Sequence, residues 1–547
     1  MGDFEQPGDI AAAKRLDVSG DLVQRQHHVL EAAYDSLTPS RRALLGRIAC
    51  FRSPVSYETL KALAEEEEEE GRGDAESGGR GEGELPPVSP APRPRVAATG
   101  LDSELRDLVG RGLVHHDVKE KRFDLHPIVR RYAYDRLAAP DRAVAHTRLR
   151  DYFAAVPAPD KVTRLEDVAP VIELYHHTVR AGQLDQAWTL FRDRIWQTLY
   201  YQLGGYLLQI DLLRALFPDG EDRPPRLRDE SDQAHALNEL ANSYSLGGQS
   251  RRAVPLFEGY IAISEKRADK SNLAVGLGNV ADDRLKLGGL QTAEANLRRR
   301  IALCSEIKDE FREAIGHQEL GRLLAYRGAY TESETALATA LQVFEKWRDL
   351  HWQGLTWAYG APSELLLLRS HSNSPLRTPH SALDSARRAL ELAEERGHSE
   401  YPIELQFVRA HWLLGAAHRV AGQPEEAERH LHEALERCRR INLAEFEADI
   451  LIDLARLRAA TGAVDEAQRL AEEALLIADR SDYVLQGADA HLELARLALA
   501  RGDQPAARHH AEEAHRLATC DGPPDYTYKA AYDEAIALLA SLPPQRD

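Results

Sequence analysis

The sequence predicts a mainly α-helical protein in which a small head of short helices and one hairpin precedes a long superhelix of stacked helical hairpins. Three observations carry that reading. A glycine followed five residues later by a small residue recurs between Gly182 and Ala507, and within each of two triplets, Gly248/Gly288/Gly328 and Gly422/Gly462/Gly502, the spacing is 40 residues. A fixed period of this size marks an architecture in which one helical unit stacks on the next. Upstream, "LVHHDVKEKRFDLH" alternates apolar and polar residues around a charged turn, as a two-stranded hairpin does. Between residues 65 and 100, six consecutive glutamates run into a Gly/Pro/Ser-rich stretch with almost no large apolar residues, a composition that predicts disorder.

The elements follow in order. Residues 1–27 read as a tail and 28–140 as the head. Within the head, "HHVLEAAYDSL" and "SRRALLGRIACF" carry apolar residues at helical spacing, with Thr38 and Ser40 as cap candidates around Pro39. The segment 65–100 interrupts the head, as a tolerated loop insertion or, in the functional reading, as an acidic interaction segment. "LDSELRDLVGRGLV" resumes as a short helix, the hairpin follows, and "PIVRRYAYDRL" opens a helix with proline in its first turn. Helices followed by a hairpin suggest a winged helix. Residues 141–230 read as a helical connector with degenerate first repeats, 231–520 as the repeats, and 521–547 as a C-terminal helix and tail. Gly328 and Gly422 are 94 residues apart, two periods plus 14, which places a loop insertion near 369–381, within "LLLLRSHSNSPLRTPHSALDSA".

The repeat chemistry accounts for its residues. Glycine takes the left-handed conformation that ends the first helix of each hairpin, and the small residue five on lets the second helix pack closely. Leucine and a small residue stand eight and seven positions before the glycine, as in Leu240-Ala241, Leu320-Gly321, Leu414-Gly415, Leu454-Ala455 and Leu494-Ala495. In this pattern "ALNELANSYSLGGQSRRAVPLFEGYIAI" resembles a tetratricopeptide repeat, in the longer form found in kinesin light chains and many bacterial regulators, over roughly Glu173 to Ala518.

The head carries a second resemblance. "YDSL" before a helix and the Arg-Phe-x-Leu-His-x-x-Val-Arg run from Arg122 to Arg130 resemble the winged-helix domain of the STAND class of signal-transduction ATPases, which includes the NB-ARC and NACHT-like regulators. The resemblance implies that His126 stands where the family's histidine contacts the phosphate of bound ADP and holds the switch closed, with a downstream repeat array as sensor arm. The family's nucleotide-binding domain has no counterpart in the sequence. No Gly-Lys dipeptide occurs, so GxxxxGK[ST] is absent and no ATP hydrolysis is expected. ADP or ATP enters only if another chain supplies that domain. Three readings stay open: a fragment of a larger switch, an ATPase chain acting in trans, or a head kept as a structural adaptor. For His126 itself the simpler reading is a histidine that packs where hairpin meets helix.

Bulk properties narrow the function. With 43% hydrophobic and 29% charged residues over 547, the chain can bury several domains' worth of core. A net charge of -19 disfavours general nucleic-acid binding, which needs a Lys/Arg surplus. The four cysteines, Cys50, Cys304, Cys438 and Cys520, form no CxxC pair and fit a reducing cytoplasm. No run of about 18 apolar residues indicates a membrane span. The adjacent histidines at 27–28, 115–116, 176–177 and 509–510 are not ready metal ligands, since sequence neighbours diverge by about 100° on a helix. No catalytic constellation and no metal site is expected.

The sequence therefore reads as a non-enzymatic sensor or adaptor whose superhelix takes a protein or peptide ligand on the first helices of its repeats. Asn238, Asn242, Asn279, Asp282, Arg322, Arg409, Trp412, Arg419, Asp453, Arg456 and Arg496 are the candidates for that inner face. Asparagines clamp peptide backbone, arginines hold carboxylates, and Trp412 is the best single anchor unless it serves as inter-repeat core. The alternative is a peptide-responsive transcription regulator that binds DNA through the winged helix. Its recognition helix would carry Asp102, Glu104 and Asp107 against Arg106 alone, a poor surface for phosphates.

Overall fold

The computed structural model describes residues 30–52, 54–61, 100–159, 161–370, 379–399 and 402–543, and the expected disordered insertion falls almost wholly outside them. It divides into two compact units, Met1–Val162 with Glu166–Phe191, and Thr163–Leu165 with Arg192–Asp547.

In the first unit, α1 (Pro39–Ala49) starts at Thr38, whose hydroxyl accepts a hydrogen bond from the Arg41 amide. Then come β1 (Val55–Ser56), a helical turn at 57–61, α2 (Leu101–Gly110), β2 (His115–Asp117), β3 (Arg122–Asp124) and α3 (Pro127–Arg136). The hairpin stands where the alternation puts it, and its turn closes with Lys121 at φ 52. The third strand was not foreseen. β1 pairs antiparallel with the free edge of β3, Val55 opposite Phe123, giving the order β1-β3-β2. Two residues carry no legible alternation. Leu44, Leu60, Leu101, Leu108 and Ala133, each fully buried, fill the space beneath the sheet. The unit continues through α4 (Ala139–Ala155), α5 (Ala169–Arg180) and α6 (Leu184–Leu190), segments that the sequence reading assigns to a connector.

Among its described residues the second unit is built of helices joined by turns and loops. After the π-helical Thr198–Leu203 comes α7 (Tyr206–Arg214), followed by seven hairpins: α8 (Glu230–Leu246) with α9 (Ser250–Lys266), α10 (Lys270–Lys286) with α11 (Leu290–Glu306), α12 (Glu310–Tyr326) with α13 (Tyr330–Lys346), α14 (Leu350–Ser370) with α15 (Pro379–Ser399), α16 (Glu404–Val420) with α17 (Pro424–Arg440), α18 (Ala444–Ala460) with α19 (Val464–Ser481), and α20 (Val484–Ala500) with α21 (Gln504–Ala518). A final α22 (Lys529–Ser541) covers the last. The stretched repeat is not mainly loop. Its two helices, ending at Ser370 and beginning at Pro379, have 21 residues each where most of the others have 17, and the rest of the expected insertion, 371–378, lies outside the described residues.

The turn glycines adopt the conformation the pattern requires, with φ of 76 at Gly248 and 85 at Gly462. The small residue five on, Ala253, Ala293, Ser333, Ala427, Ala467 or Ala507, is fully buried each time. Gly321 and Gly415 stand in place of alanine because a Cβ there would come within 2.7 Å of Leu337 and 2.5 Å of Leu431 on the partner helix. Between hairpins the left-handed position is not glycine but Ala268, Lys308 or Arg348, and the aspartate that follows caps the next helix, Asp269 on Asn272 and Asp309 on Arg312.

Early and late repeats touch directly. A Cβ on Gly248 would lie 2.9 Å from Ala444, and one on Gly288 would lie 2.9 Å from Val484, whereas Gly422, Gly462 and Gly502 have nothing within 4 Å. The turns at Gly248 and Gly288 therefore abut the first helices of later hairpins, and the turn at Gly328 abuts α22 at Lys529.

Candidate functional site on the inner face of the repeats

All eleven predicted ligand residues lie on the first helices of their hairpins, and the structure joins most of them to one another. On α8 and α10, Asn279 Nδ2 donates to Asn238 Oδ1 at 2.9 Å, and Asn238 Nδ2 donates to Glu239 at 3.2 Å. Burial pushes the Glu239 carboxyl up to about 7, against hydrogen bonds from Asn238 and Asn242 that favour its charge. Asp282 of α10 accepts from Arg322 of α12 at 2.6 Å.

From there the network crosses to the later repeats. Arg322 also donates to Glu445 of α18 at 2.9 Å, and the buried Lys286 lies 2.8 Å from Asp282 and 3.1 Å from Glu445. Burial would raise the Asp282 carboxyl, but the Lys286 and Arg322 charges hold it well below the usual range. A second node centres on Asp453 of α18, which accepts from Trp412 Nε1 at 2.8 Å, Arg419 at 3.0 Å and Arg456 at 3.4 Å. Trp412 packs edge-on to Phe446 at 5.8 Å and lies against the inter-repeat core, so its ring serves packing. Arg409 sits over the rings of Tyr359 and Phe446 at 5.3 and 5.0 Å. A third node joins Arg369 of α14 to Asp489 of α20 at 2.7 Å and Glu534 of α22 at 2.8 Å, with Arg496 reaching Glu534 at 3.0 Å.

The inner-face candidates are thus engaged with one another and with further charged side chains across repeats. The reason is electrostatic. Partly buried carboxylates and guanidinium groups that face each other lower their desolvation cost by pairing. Lys286, Arg369, Glu445 and Asp489 were missed in the sequence. A signal existed for Asp489, which stands in the same register two periods after Arg409 and one period after Asp449. Asp449, the odd member, accepts from Gln486 at 3.2 Å, and burial raises its carboxyl well above the usual range.

His126 is exposed at the start of α3, where its Nδ1 accepts from the Ile128 amide at 3.3 Å. It is an N-cap, not a packed residue. The histidine expectation also changes. Among the described residues, His146, His176 and His177 form one group able to hold a metal ion, and His418, Glu426 and His430 form another. Adjacency in sequence reports on one pair at a time and carries no sign of a third ring on another helix. The pair at 27–28 lies outside the described residues.

Residues 406–480 match the family described as tetratricopeptide repeat. No curated protein matches the chain. Among solved structures, a signal transduction ATPase with numerous domains carrying a tetratricopeptide repeat sensor, from Pyrococcus horikoshii, is 17% identical with a TM-score of 0.38; the likeness covers 92% of this chain and 66% of that one. A Rap protein complexed with competence and sporulation factor is 14% identical over 69% of this chain and 96% of that one, TM-score 0.39. BtubC from P. vanneervenii is 16% identical over 44% and 91%, TM-score 0.31. Tetratricopeptide repeats typically serve as protein-interaction scaffolds. No helix among the described residues is long and apolar enough to cross a membrane.

Proposed function

We propose that the chain is a non-enzymatic sensor or adaptor whose repeats bind a protein or peptide on their inner face, with a STAND-type winged-helix head that relays the event. The observation that carries the first half is the Lys286–Glu445–Arg322 contact between α10, α12 and α18. Those charges are satisfied by the chain itself in the ligand-free form, so a ligand presenting its own carboxylate or guanidinium groups can exchange with them. Such an exchange gives the array two arrangements for a ligand to select between. For the head, the order α1, β1, helical turn, α2, hairpin, α3 is that of a winged helix and supports the reading. Its nucleotide-switch part rests on His126 alone and needs an ATPase chain in trans. A cytoplasmic location belongs to the same reading, and the four free thiols support it. For the DNA-binding alternative the basic residues of "KEKR" and "VRRYAYDR" speak in favour, and α2, where Asp102, Glu104 and Asp107 outnumber Arg106, speaks against.

The test is cross-linked affinity capture with the wild-type chain and with an Arg322→Ala/Glu445→Ala variant, with co-purifying ADP or ATP assayed alongside. A partner whose recovery changes in the variant supports inner-face recognition. Equal recovery by both chains would move the binding surface elsewhere. An ATPase partner arriving with nucleotide supports the switch role of His126, and a partner without one reduces the head to a structural cap.

A further inference from the structure

Three histidines meet inside the first unit, on elements that the proposed function does not use. His146 comes from α4, and His176 and His177 from α5. His146 and His177 have no exposed surface, while His176 is half-buried. One ring nitrogen of each lies within 4.8 Å of the others. The Nδ1 atoms of His146 and His177 are 2.9 Å apart.

The ring positions fit a shared ion. Imidazoles bound to one tetrahedral zinc at about 2.0–2.1 Å place their centroids roughly 5 Å apart. Here they are 5.2 Å apart for His146–His177, 5.2 Å for His176–His177 and 5.9 Å for His146–His176. For His146 and His176 the nitrogen turned away from the centre has the kind of partner that metal-bound histidines use to fix their orientation, and for His177 a carboxylate stands just beyond hydrogen-bond distance. Tyr134 Oη lies 3.0 Å from His146 Nε2, Glu173 Oε2 lies 3.6 Å from His177 Nε2, and a ring N–H of His176 bonds the Cys50 backbone. His177 Nε2 is buried and makes no hydrogen bond. Around this centre, Phe153 stacks on His177 at 5.7 Å and Phe51 meets it edge-on at 5.8 Å, a dry wall.

We infer that His146, His176 and His177 form a structural binding site for a zinc-like divalent cation that ties α4 to α5, entered from the half-buried side of His176. Without the ion, one Nδ1–H donates to the other Nδ1. With it, each contributes a lone pair, and the two nitrogens separate by a few tenths of an ångström to reach the roughly 3.3 Å of a tetrahedral pair. The same Nδ1 contact at 2.9 Å recurs in the array at His411–His430 and His491–His510. A third ring also stands beside each of those pairs, His418 and His509; the mark of the site is that one nitrogen of each of three imidazoles lies within 4.8 Å of the others, with two of the rings fully buried. Arg142 and Arg180 bring positive charge nearby, so affinity rests on the imidazole donors with Glu173 as the nearest counter-charge.

The full chain, stripped with a chelator and dialysed, is titrated with Co²⁺ and Zn²⁺. The expected result is one tightly held equivalent, visible Co²⁺ absorption of nitrogen ligation displaced by Zn²⁺, and a raised melting temperature of the first unit. His176→Asn, at the half-buried position, should lose the Co²⁺ bands. Tyr134→Phe, which removes only an outer hydrogen bond, should weaken binding about 10- to 100-fold. His430→Leu, in the array, should leave it unchanged. Circular dichroism checks the fold of each variant. A wild-type chain that shows no Co²⁺ bands and no Zn²⁺-dependent melting shift overturns the site, as does wild-type affinity in both first-unit variants.

Discussion

Arg322 of α12 donates to Glu445 of α18 at 2.9 Å across 123 residues of sequence, and both side chains are mostly buried. The pair closes early repeats onto late ones through Asp282 and Lys286. Removing Arg322 leaves the two carboxylates, Asp282 and Glu445, to share the single charge of Lys286. Arg322→Ala should therefore cost about 3 kcal/mol, at the low end for broken buried pairs because Asp282 keeps Lys286. Arg322→Ala/Glu445→Ala should cost less than the sum of the single variants. Urea unfolding of the array, run as a double-mutant cycle, measures the coupling. Additive single effects would show that the contact does not hold the repeats together.

The turn glycines provide an independent measure of the same closure. Gly288 and Gly462 have nearly the same backbone, φ 80 and 85, so alanine strains both by roughly 1–2 kcal/mol. Only at Gly288 does the new Cβ also meet a neighbour, Val484 Cγ1 at 2.9 Å, and a β-branched side chain yields little. Gly288→Ala should be the more destabilising by about 1–3 kcal/mol, the usual cost of overpacking. It should also increase the radius of gyration measured by small-angle scattering. Equal losses at the two sites would argue that early and late repeats are apart in solution.

How much of this was legible depended on the range of the signal. The hairpins of the array follow from a local rule, a glycine and a small residue at fixed spacing, and Gly248 and Ala253 obey it in the structure. The inner-face candidates were readable for the same reason, since position within a repeat decides which way a side chain points. What they would meet was not readable. The partner of Arg322 lies three hairpins away, and no local pattern reports the superhelical pitch that brings Glu445 to it. His146 likewise meets His177 only because α4 folds back on α5. β1 was invisible because two residues cannot alternate.

Trp412 separates a packing role from a recognition role. Its Nε1 donates to Asp453 at 2.8 Å, while its ring lies against the inter-repeat core. Trp412→Phe keeps most of the ring and loses the hydrogen bond, so the expected cost is about 1 kcal/mol. Trp412→Ala should cost about 3–5 kcal/mol, as for a truncated core aromatic. Chemical unfolding of both variants checks this. A Trp412→Ala chain of wild-type stability would return the residue to the role of a ligand anchor.

The paired histidines of the array set a pH dependence. His491 of α20 faces His510 of α21, and His411 of α16 faces His430 of α17, with Nδ1 atoms 2.9 Å apart in both. Burial first, then the neighbouring His510, lowers His491 to about 4, with Glu513 opposing and His509 and Arg516 adding to the shift. Burial and then Arg429 and His411 lower His430 to about 4, with Glu426 opposing. His411 and His510 are lowered as well, chiefly by burial. In the unfolded chain these rings titrate near 6.5, so between about 6.5 and 4 the unfolded state holds more protons than the folded one. The stability associated with neutral rings is present above about 6.5 and is lost as pH falls through that window to about 4. In the intervening hairpin, Leu451 and Leu470 occupy the equivalent positions, one period from each pair. A chain carrying His411→Leu, His430→Leu, His491→Leu and His510→Leu should therefore melt at nearly the same temperature at pH 7 and lose much less stability at pH 5 than wild type. Parallel melting curves for the two chains across that range would mean that the rings titrate normally and that other groups control the acid response.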